Sequence, residues 1–260
     1  MIKKGIMIVG HGSRYIYNEK IMDLQAQRLR EMGFENIYIG FNETSFPKIE
    51  ESLLKMADDG IEEIVAIPFF IASGIHMTKQ INIKLGLVGD EKEKMITVNG
   101  KKIMMHFETP FGEDPLLAKI LSEKLCLMDS KKGNTGVMVI GHGSRLSFNK
   151  EIIVLNAKRM TEMGIKNVYY AFNEFDEPTI EEVMEKMLED GITEIIAMPL
   201  FISGGDHLKN DVPEKIRLVD GIFEGTFDYN GVTVTVKYAS PIGKDPRLTD
   251  LFAAKVRKYI

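Results

Sequence analysis

The sequence predicts an α/β protein made of two similar halves, each built on a doubly wound parallel sheet. The main observation is a repeat: Gly5–Arg14 and Gly136–Arg145 are nearly identical and begin 131 residues apart. Each segment is a short apolar run that ends in Gly-His-Gly-Ser-Arg. A fixed internal spacing of this kind is typical of a duplicated structural unit, and strands that alternate with helices indicate a parallel sheet.

The elements of each half follow from apolar runs and from amphipathic segments that end in glycine. Strands are predicted at 6–9, 36–41, 64–71 and 102–107, and in the copy at 137–140, 167–172, 195–202 and 233–238. Helices are predicted at 17–32 and 47–59, at 148–163 and 178–190, and after Pro115 and Pro246. Gly33 and Gly164 stand where a helix commonly ends in a left-handed residue.

Two stretches before the fourth strands, 90–100 and 220–231, are charged or contain glycine and end in Asn-Gly. They predict a turn or a small excursion from the sheet. The polar segment 130–135 is the predicted linker, so the predicted halves are residues 1–129 and 136–260. Repeated methionines such as Met7 and Met32 are interpreted as core residues.

The bulk composition excludes several classes of function. A formal net charge of −5 gives no general attraction for nucleic acid or an anionic membrane. The longest apolar stretch, 64–71, is too short to cross a bilayer. Cys126 is the single cysteine, which excludes an intrachain disulfide and a four-cysteine cluster. We expect a cytoplasmic protein that binds neither nucleic acid nor membrane.

Four of the five histidines belong to the repeat. His11 and His142 follow the first predicted strand of each half, and His76 and His207 follow the third. Ligands of open α/β sheets bind beyond the carboxyl ends of the strands, so each pair is predicted to face that crevice. Neutral imidazole binds Co²⁺, Ni²⁺ and Fe²⁺, which makes these histidines candidate metal ligands.

Two other interpretations of these segments stay open. A single histidine after a strand is often a hydrogen-bonding loop residue. Because these four histidines are duplicated in register, that interpretation is less favoured for them. The Gly-His-Gly-Ser turns could also form a phosphate site at a helix N-terminus. The chain lacks both GxGxxG and GxxxxGK[ST], so nucleotide binding is disfavoured. His106 has no duplicate, and we expect it to have a structural role.

Three repeated motifs together resemble the CbiX/SirB family of sirohydrochlorin chelatases. They are Gly-His-Gly-Ser-Arg, Phe-Asn-Glu-x-x-x-Pro-x-Ile at 41–49 and 172–180, and Pro-x-Phe-x-x-x-Gly-x-His at 68–76 and 199–207. The resemblance covers nearly the whole chain, twice. It implies two flavodoxin-like chelatase halves related by pseudo-twofold symmetry. It also implies a lyase that inserts a divalent metal ion, Co²⁺ first and otherwise Ni²⁺ or Fe²⁺, into sirohydrochlorin in cobalamin-, siroheme- or F430-type biosynthesis.

The resemblance also assigns roles to residues. His11 with His76, or His142 with His207, binds the incoming metal ion and presents it to the macrocycle. Insertion exchanges two pyrrole protons for one M²⁺, so proton acceptors are needed. Glu43 and Glu174 are candidates for metal steering or proton removal, and the alternative is that they cap the following helix. The carboxylates of the macrocycle need hydrogen-bond donors and positive groups, for which the candidates are Ser13, Arg14, Lys79, Ser144, Arg145 and Lys209.

The remaining expectations concern partners. We expect no tightly bound cofactor, because the metal ion is a substrate, and we expect a monomer, because the repeat already supplies a second half. A non-catalytic tetrapyrrole or metal carrier that uses the same cleft between the halves is the alternative function.

Overall fold

The computed structural model of the chain shows strands and helices in alternation. It describes residues 2–13, 17–72, 74–128, 134–144, 147–203, 210–219 and 221–260, with the backbone alone at 75–79 and 147. The chain forms two compact units: unit 1 is Met1–Phe111 with Gly243–Ile260, and unit 2 is Gly112–Ile242. Within the described ranges, no helix combines the length and apolar character needed to cross a membrane.

The two sequence repeats give the same succession of elements. The first repeat contains β1 (Lys4–Gly10), α1 (Tyr17–Glu31), β2 (Ile37–Phe41), α2 (Ile49–Asp58), β3 (Glu63–Pro68), α3 (Ile75–Lys84), β4 (Glu93–Val98), β5 (Lys101–Phe107) and α4 (Pro115–Leu127). The second contains β6 (Thr135–Gly141), α5 (Ser147–Glu162), β7 (Val168–Phe172), α6 (Ile180–Glu189), β8 (Glu194–Pro199), α7 (Val212–Lys215), β9 (Glu224–Tyr229), β10 (Val232–Tyr238) and α8 (Arg247–Val256).

Each unit has one five-stranded sheet, with strand order β2-β1-β3-β5-β4 in unit 1 and β7-β6-β8-β10-β9 in unit 2. The first four strands of each order run parallel, and the edge strand is antiparallel. The central strands β1 and β6 are buried along nearly their whole length, as expected for a parallel sheet covered on both faces. The predicted α/β fold with two similar halves is therefore confirmed.

The antiparallel edge strands explain the two Asn-Gly segments. The sequence predicted only a turn or small excursion at 90–100 and 220–231, whereas each segment forms a full strand of a β-hairpin. Asn99 and Gly100 have φ of 48° and 74°, and Asn230 and Gly231 have φ of 53° and 80°. Positive φ at both central residues is the type I′ geometry that Asn-Gly favours, so the turn was predicted and its flanking strand was missed.

The third strand of each half is shorter than predicted. β3 and β8 end at Pro68 and Pro199, and the predicted strands continued to 71 and 202. Proline has no backbone N–H for the ladder, which favours an end at this point. His76 therefore does not follow the strand directly: it lies in the first turn of α3, a helix that the sequence analysis did not predict. His207 lies outside the described residues.

The repeated methionines divide into two groups. Met7, Met56, Met138 and Met187 are fully buried and contribute to the two cores, as predicted. Met32 and Met163 are 40% and 49% exposed, so their assignment to the core was wrong. Both stand immediately after the end of a long helix, next to Gly33 and Gly164, where the chain turns back at the surface.

The compact units do not have the same bounds as the predicted halves 1–129 and 136–260, which follow the sequence repeat. Unit 2 contains α4 from the first repeat, and unit 1 contains α8 from the second. In each unit a buried amide bonds to the segment just before the helix that comes from the other repeat. In unit 1 the Gln25 Nε2 donates to the Gly243 carbonyl at 2.8 Å, and in unit 2 the Asn156 Nδ2 donates to the Gly112 carbonyl at 3.0 Å. These long-range bonds fix the start of each last helix.

The C-terminal helix is held in unit 1 by a buried carboxylate. Glu108, 8% exposed, accepts hydrogen bonds from Lys255 Nζ at 3.2 Å, Lys258 Nζ at 3.3 Å and the Tyr259 hydroxyl at 2.9 Å. Burial raises the pKa of this carboxyl, but these donors outweigh burial and hold the pKa below its ordinary value. Tyr259 also packs against the ring of His106, with ring centroids 4.6 Å apart.

Candidate functional site

The Gly-His-Gly-Ser turns lie at the carboxyl ends of β1 and β6, where the sequence predicted a site. His11 is exposed and His142 is half-buried. In both units the loop that follows the second strand continues alongside this turn. The Glu43 N–H donates to the His11 carbonyl at 2.8 Å, and the Glu174 N–H donates to the His142 carbonyl at 2.9 Å. The structure therefore brings one predicted histidine and one predicted glutamate together in each unit.

The glycine after each histidine makes this approach possible. Gly12 and Gly143 have φ of 88° and 87° and are buried. A Cβ atom built on Gly12 would lie 2.6 Å from the Glu43 carbonyl oxygen, and one built on Gly143 would lie 1.6 Å from the Glu174 carbonyl oxygen. Both distances are far inside van der Waals contact, so a side chain at either position would separate the histidine turn from the glutamate loop.

The serines of the turns bind the same loops through their backbone. The Ser13 N–H donates to the Ser45 Oγ at 3.0 Å, and the Ser144 N–H donates to the Asp176 Oδ2 at 2.8 Å. Ser45 and Asp176 are equivalent in the repeat, so unit 2 has a carboxylate where unit 1 has a neutral hydroxyl. A role for Ser13 and Ser144 toward a substrate stays a prediction.

Glu43 and Glu174 do not cap the helices that follow them. The N-cap residues are Lys48 and Thr179, and the carboxylates that accept their N–H groups belong to Glu51 at 2.7 Å and Glu182 at 2.8 Å. Helix capping was the alternative interpretation of Glu43 and Glu174, and this geometry contradicts it. Glu43 is exposed and Glu174 is half-exposed, and the backbone N–H of each is bonded to the histidine turn of its unit.

The ring of His142 has an aromatic neighbour within unit 2. Phe201, two residues beyond the end of β8, places its ring centroid 6.0 Å from that of His142 with an interplanar angle of 31°. Half-burial against an aromatic ring restricts the imidazole to fewer orientations than an exposed side chain has. The contact links the carboxyl ends of β6 and β8, the two strands that precede the predicted ligands.

The structure describes the other predicted site residues only in part. His76 and Lys79 lie on α3, and the structure gives their backbone alone. Arg14, Arg145, His207 and Lys209 lie outside the described residues. Among the side chains that the structure does describe, no group of three or more His, Cys, Asp or Glu is arranged to hold a metal ion. The pairing of His11 with His76 and of His142 with His207 stays a prediction.

Two asparagines that were not predicted as site residues, Asn42 and Asn173, are only 2% and 4% exposed. Their N–H groups donate to the carbonyls of Gly10 at 2.8 Å and Gly141 at 3.0 Å, the last residues of β1 and β6. The signal was present in the repeated Phe-Asn-Glu motif, of which only the glutamate was selected. Both side-chain polar atoms of Asn173 are buried: among the described residues, Nδ2 donates no hydrogen bond and Oδ1 accepts none.

Comparison with solved structures agrees with this fold. SirB from Bacillus subtilis with Fe³⁺ superposes with a TM-score of 0.77 at 22% identity, covering 98% of this chain and 95% of that one. A CbiX described as the terminal enzyme for siroheme biosynthesis in denitrifying bacteria gives a TM-score of 0.66 at 18% identity, covering 98% and 99%. The fold is therefore that of the chelatase structures.

Sequence comparison then gives the family. The CbiX family model matches twice, at residues 5–126 and 136–259. The chain belongs to the CbiX family, in a form with two tandem copies, and the predicted resemblance is confirmed. Two curated relatives, both named sirohydrochlorin cobaltochelatase, are 36% identical. The one from Methanosarcina barkeri covers 48% of this chain and 96% of its own length, and the one from Methanococcoides burtonii covers 47% and 94%.

Proposed function

We propose that this protein is a sirohydrochlorin chelatase that inserts a divalent metal ion into the tetrapyrrole and releases two protons. The observation that carries the proposal is the duplicated contact of a histidine turn with a glutamate loop, His11 with Glu43 and His142 with Glu174, at the carboxyl ends of the sheets. The half-length relatives named cobaltochelatases support Co²⁺ as the first metal to test, with Ni²⁺ and Fe²⁺ as alternatives.

In this proposal the histidines hold the metal ion, and the remaining groups serve the macrocycle. An imidazole binds a first-row divalent ion less tightly than a thiolate does. The ion can therefore be passed on to four pyrrole nitrogens. The backbones of Glu43 and Glu174 are hydrogen-bonded to the histidine turns, and their carboxylates would steer the ion or accept a proton. Arg14, Arg145, Lys79 and Lys209, with Ser13 and Ser144, would bind the carboxylates of the substrate.

The test is Co²⁺ insertion into sirohydrochlorin, followed by the change in the tetrapyrrole's absorbance. His11→Ala/His76→Ala and His142→Ala/His207→Ala each remove the ligands of one unit, and the quadruple variant removes both sets. We expect each double variant to lose the rate that its unit supplies, and the quadruple variant to fall to the uncatalysed rate. His106→Gln, which changes the one unduplicated histidine, is the matched control and should retain the full rate.

The same assay separates an enzyme from a carrier. With substrate in large excess, an enzyme forms many equivalents of product per chain, whereas a carrier stops after stoichiometric capture. A quadruple variant that inserts Co²⁺ at the wild-type rate would overturn the assignment of the histidines. We also propose that the protein acts as a monomer in the cytoplasm, without a tightly bound cofactor, and a solution mass of about twice 29.4 kDa would contradict the monomer.

A further inference from the structure

Asn42 is a junction between three parts of unit 1. Its N–H donates to the carbonyl of Gly10, next to His11, and its chain neighbour Glu43 donates to the His11 carbonyl. Its own carbonyl accepts a hydrogen bond from the Lys84 Nζ. Its side-chain Nδ2 donates to the Gln80 Oε1 at 3.3 Å. One buried residue thus bonds to the end of β1 and twice to α3.

The two residues of α3 that contact Asn42 share a face of that helix. Positions 80 and 84 are four residues apart and are neighbours on the helix surface. Position 76, which is a histidine, precedes position 80 by the same four residues and belongs to the same face. Because two residues of one rigid helix bond to Asn42, both the translation and the rotation of α3 relative to Asn42 are restricted. The face that carries the histidine position is therefore set relative to the His11 turn.

Unit 2 repeats the backbone bond and the lysine bond at the same spacing but, among the described residues, not the side-chain bond. Asn173 donates its N–H to the carbonyl of Gly141, next to His142, and Lys215 Nζ donates to the Asn173 carbonyl at 2.5 Å. Lys215 is the last residue of α7, as Lys84 is the last residue of α3. A buried amide that lacks full hydrogen bonding destabilises a fold. A buried, incompletely bonded asparagine at the same point in both units therefore calls for an explanation, and the shared lysine bond offers one.

We propose that Asn42 with Lys84, and Asn173 with Lys215, are positioning residues that hold the histidine turn of each unit at a fixed distance from the helix after the third strand. This inference rests on the proposed function only in taking the histidines as metal ligands. The lysines touch a backbone carbonyl and act on the metal ion through the position of other residues. Loss of a residue that orients metal ligands without binding the metal typically lowers metal affinity by roughly 10- to 100-fold.

The test uses the full chain and the variant Lys84→Met/Lys215→Met, which keeps an unbranched apolar side chain at both positions and removes both donors. The first readout is the affinity for Co²⁺ alone, and the second is kcat and KM for insertion. We expect Co²⁺ affinity to fall about tenfold or more and kcat to fall with it. Lys84→Arg/Lys215→Arg, which restores a donor, should recover most of both losses.

A matched control separates position from stability. Lys84 also lies 3.7 Å from the Glu50 Oε1, so Glu50→Gln removes that ion pair and leaves the bond to Asn42. It should leave Co²⁺ affinity unchanged. Thermal unfolding of each variant gives the folded fraction, and affinities are compared per folded molecule. A loss of affinity that only follows the loss of folded protein, or no loss at all, would overturn the inference.

The design also separates this inference from the proposed function. If the wild-type chain binds Co²⁺ in a lysine-dependent manner but does not accelerate insertion, the proposed function is wrong and the positioning role stands. If the wild type accelerates insertion and the lysine variant does so equally well, the positioning role is wrong and the function stands.

Discussion

Gly143 lies directly against the backbone carbonyl of Glu174, so closely that a Cβ atom on the glycine would come within 1.6 Å of its oxygen. The equivalent approach in unit 1, of Gly12 to the Glu43 carbonyl, leaves 2.6 Å. In both units the histidine and glutamate loops are adjacent only because the residue between histidine and serine has no side chain. This contact makes the geometry of the candidate site sensitive to a single methyl group.

Gly143→Ala is expected to disrupt the site of unit 2. The added Cβ collides with backbone, and alanine disfavours a φ of 87°, so the loops must separate. We expect a loss of the insertion rate that unit 2 supplies and a decrease in the free energy of unfolding of roughly 1–3 kcal/mol. Insertion kinetics in the His11→Ala/His76→Ala background measure unit 2 alone.

Gly164→Ala is the control for this substitution. Gly164 has φ of 90°, but nothing lies within 4 Å of a Cβ built there. It therefore experiences the backbone strain without the collision, and the free energy of unfolding should decrease by about 1 kcal/mol at an unchanged insertion rate. Equal insertion rates for Gly143→Ala and Gly164→Ala would contradict the importance of the contact.

Glu174→Gln is expected to reduce insertion with little effect on folding. The change removes a charge beside the His142 turn and preserves the shape of the side chain. A proton acceptor or metal-steering group of this kind contributes roughly 100-fold to a rate, so kcat in unit 2 should fall by that order. Glu182→Gln, in the capping box of α6, is the matched control. It should lower stability by up to about 1 kcal/mol and leave kcat unchanged, and the opposite pattern would restore the capping interpretation.

Glu108→Gln is expected to loosen the C-terminal helix from unit 1. The substitution leaves the buried ammonium of Lys255 without its counter-charge, and breaking a buried pair typically costs about 3 kcal/mol. The pKa of Glu108 is held below its ordinary value, so its stabilising effect is complete above about pH 4.5 and is lost as the pH falls through the lowered pKa. Urea unfolding should show a large difference between variant and wild type at pH 7 that narrows under acidic conditions. Glu162→Gln, in the exposed Lys158–Glu162 pair, should change stability by less than about 0.5 kcal/mol.

The protein is expected to lose stability at high pH because of two tyrosines at equivalent positions of the repeat. The hydroxyls of Tyr38 and Tyr169 donate to Asp59 and Asp190 at 2.7 and 2.8 Å. Burial, and then these hydrogen bonds, raise the pKa of each tyrosine to about 12. A raised pKa means that the stabilising effect is complete below pH 10 and disappears as the pH approaches 12. Tyr38→Phe/Tyr169→Phe should be less stable than the wild type at pH 8 and should lose less stability between pH 10 and 12. Parallel curves of urea midpoint against pH would contradict this.

Local patterns predicted most of the fold, and non-local packing set the rest. The apolar run of β1 and the left-handed Gly33 are determined within a few residues, and both were predicted correctly. The edge strand β4 is half-exposed and polar, so its sequence does not differ from that of a loop until β5 lies beside it. The position of α4 in unit 2 depends on Asn156, 44 residues away from the Gly112 carbonyl that it contacts.

The candidate site shows the same division. His11 and Glu43 were selected because their residue types carry chemistry, and the structure joins their backbones by a hydrogen bond. Asn42 was overlooked because asparagine is usually a surface residue, and only the fold reveals that it is buried with bonds to Gly10 and Lys84. Helix α3 was missed because its apolar residues do not follow a clear helical period: Ile81 is buried, whereas Ile83 is 72% exposed.

Because unit 1 ends with α8 and unit 2 begins with α4, a cut through residues 130–135 would not release two self-sufficient proteins. Each fragment would carry a helix that has no sheet of its own to cover and would lack the helix that its sheet requires. The two pieces, co-expressed, should rescue one another by reciprocal complementation, and either piece alone should be recovered only as an oligomer or as insoluble material.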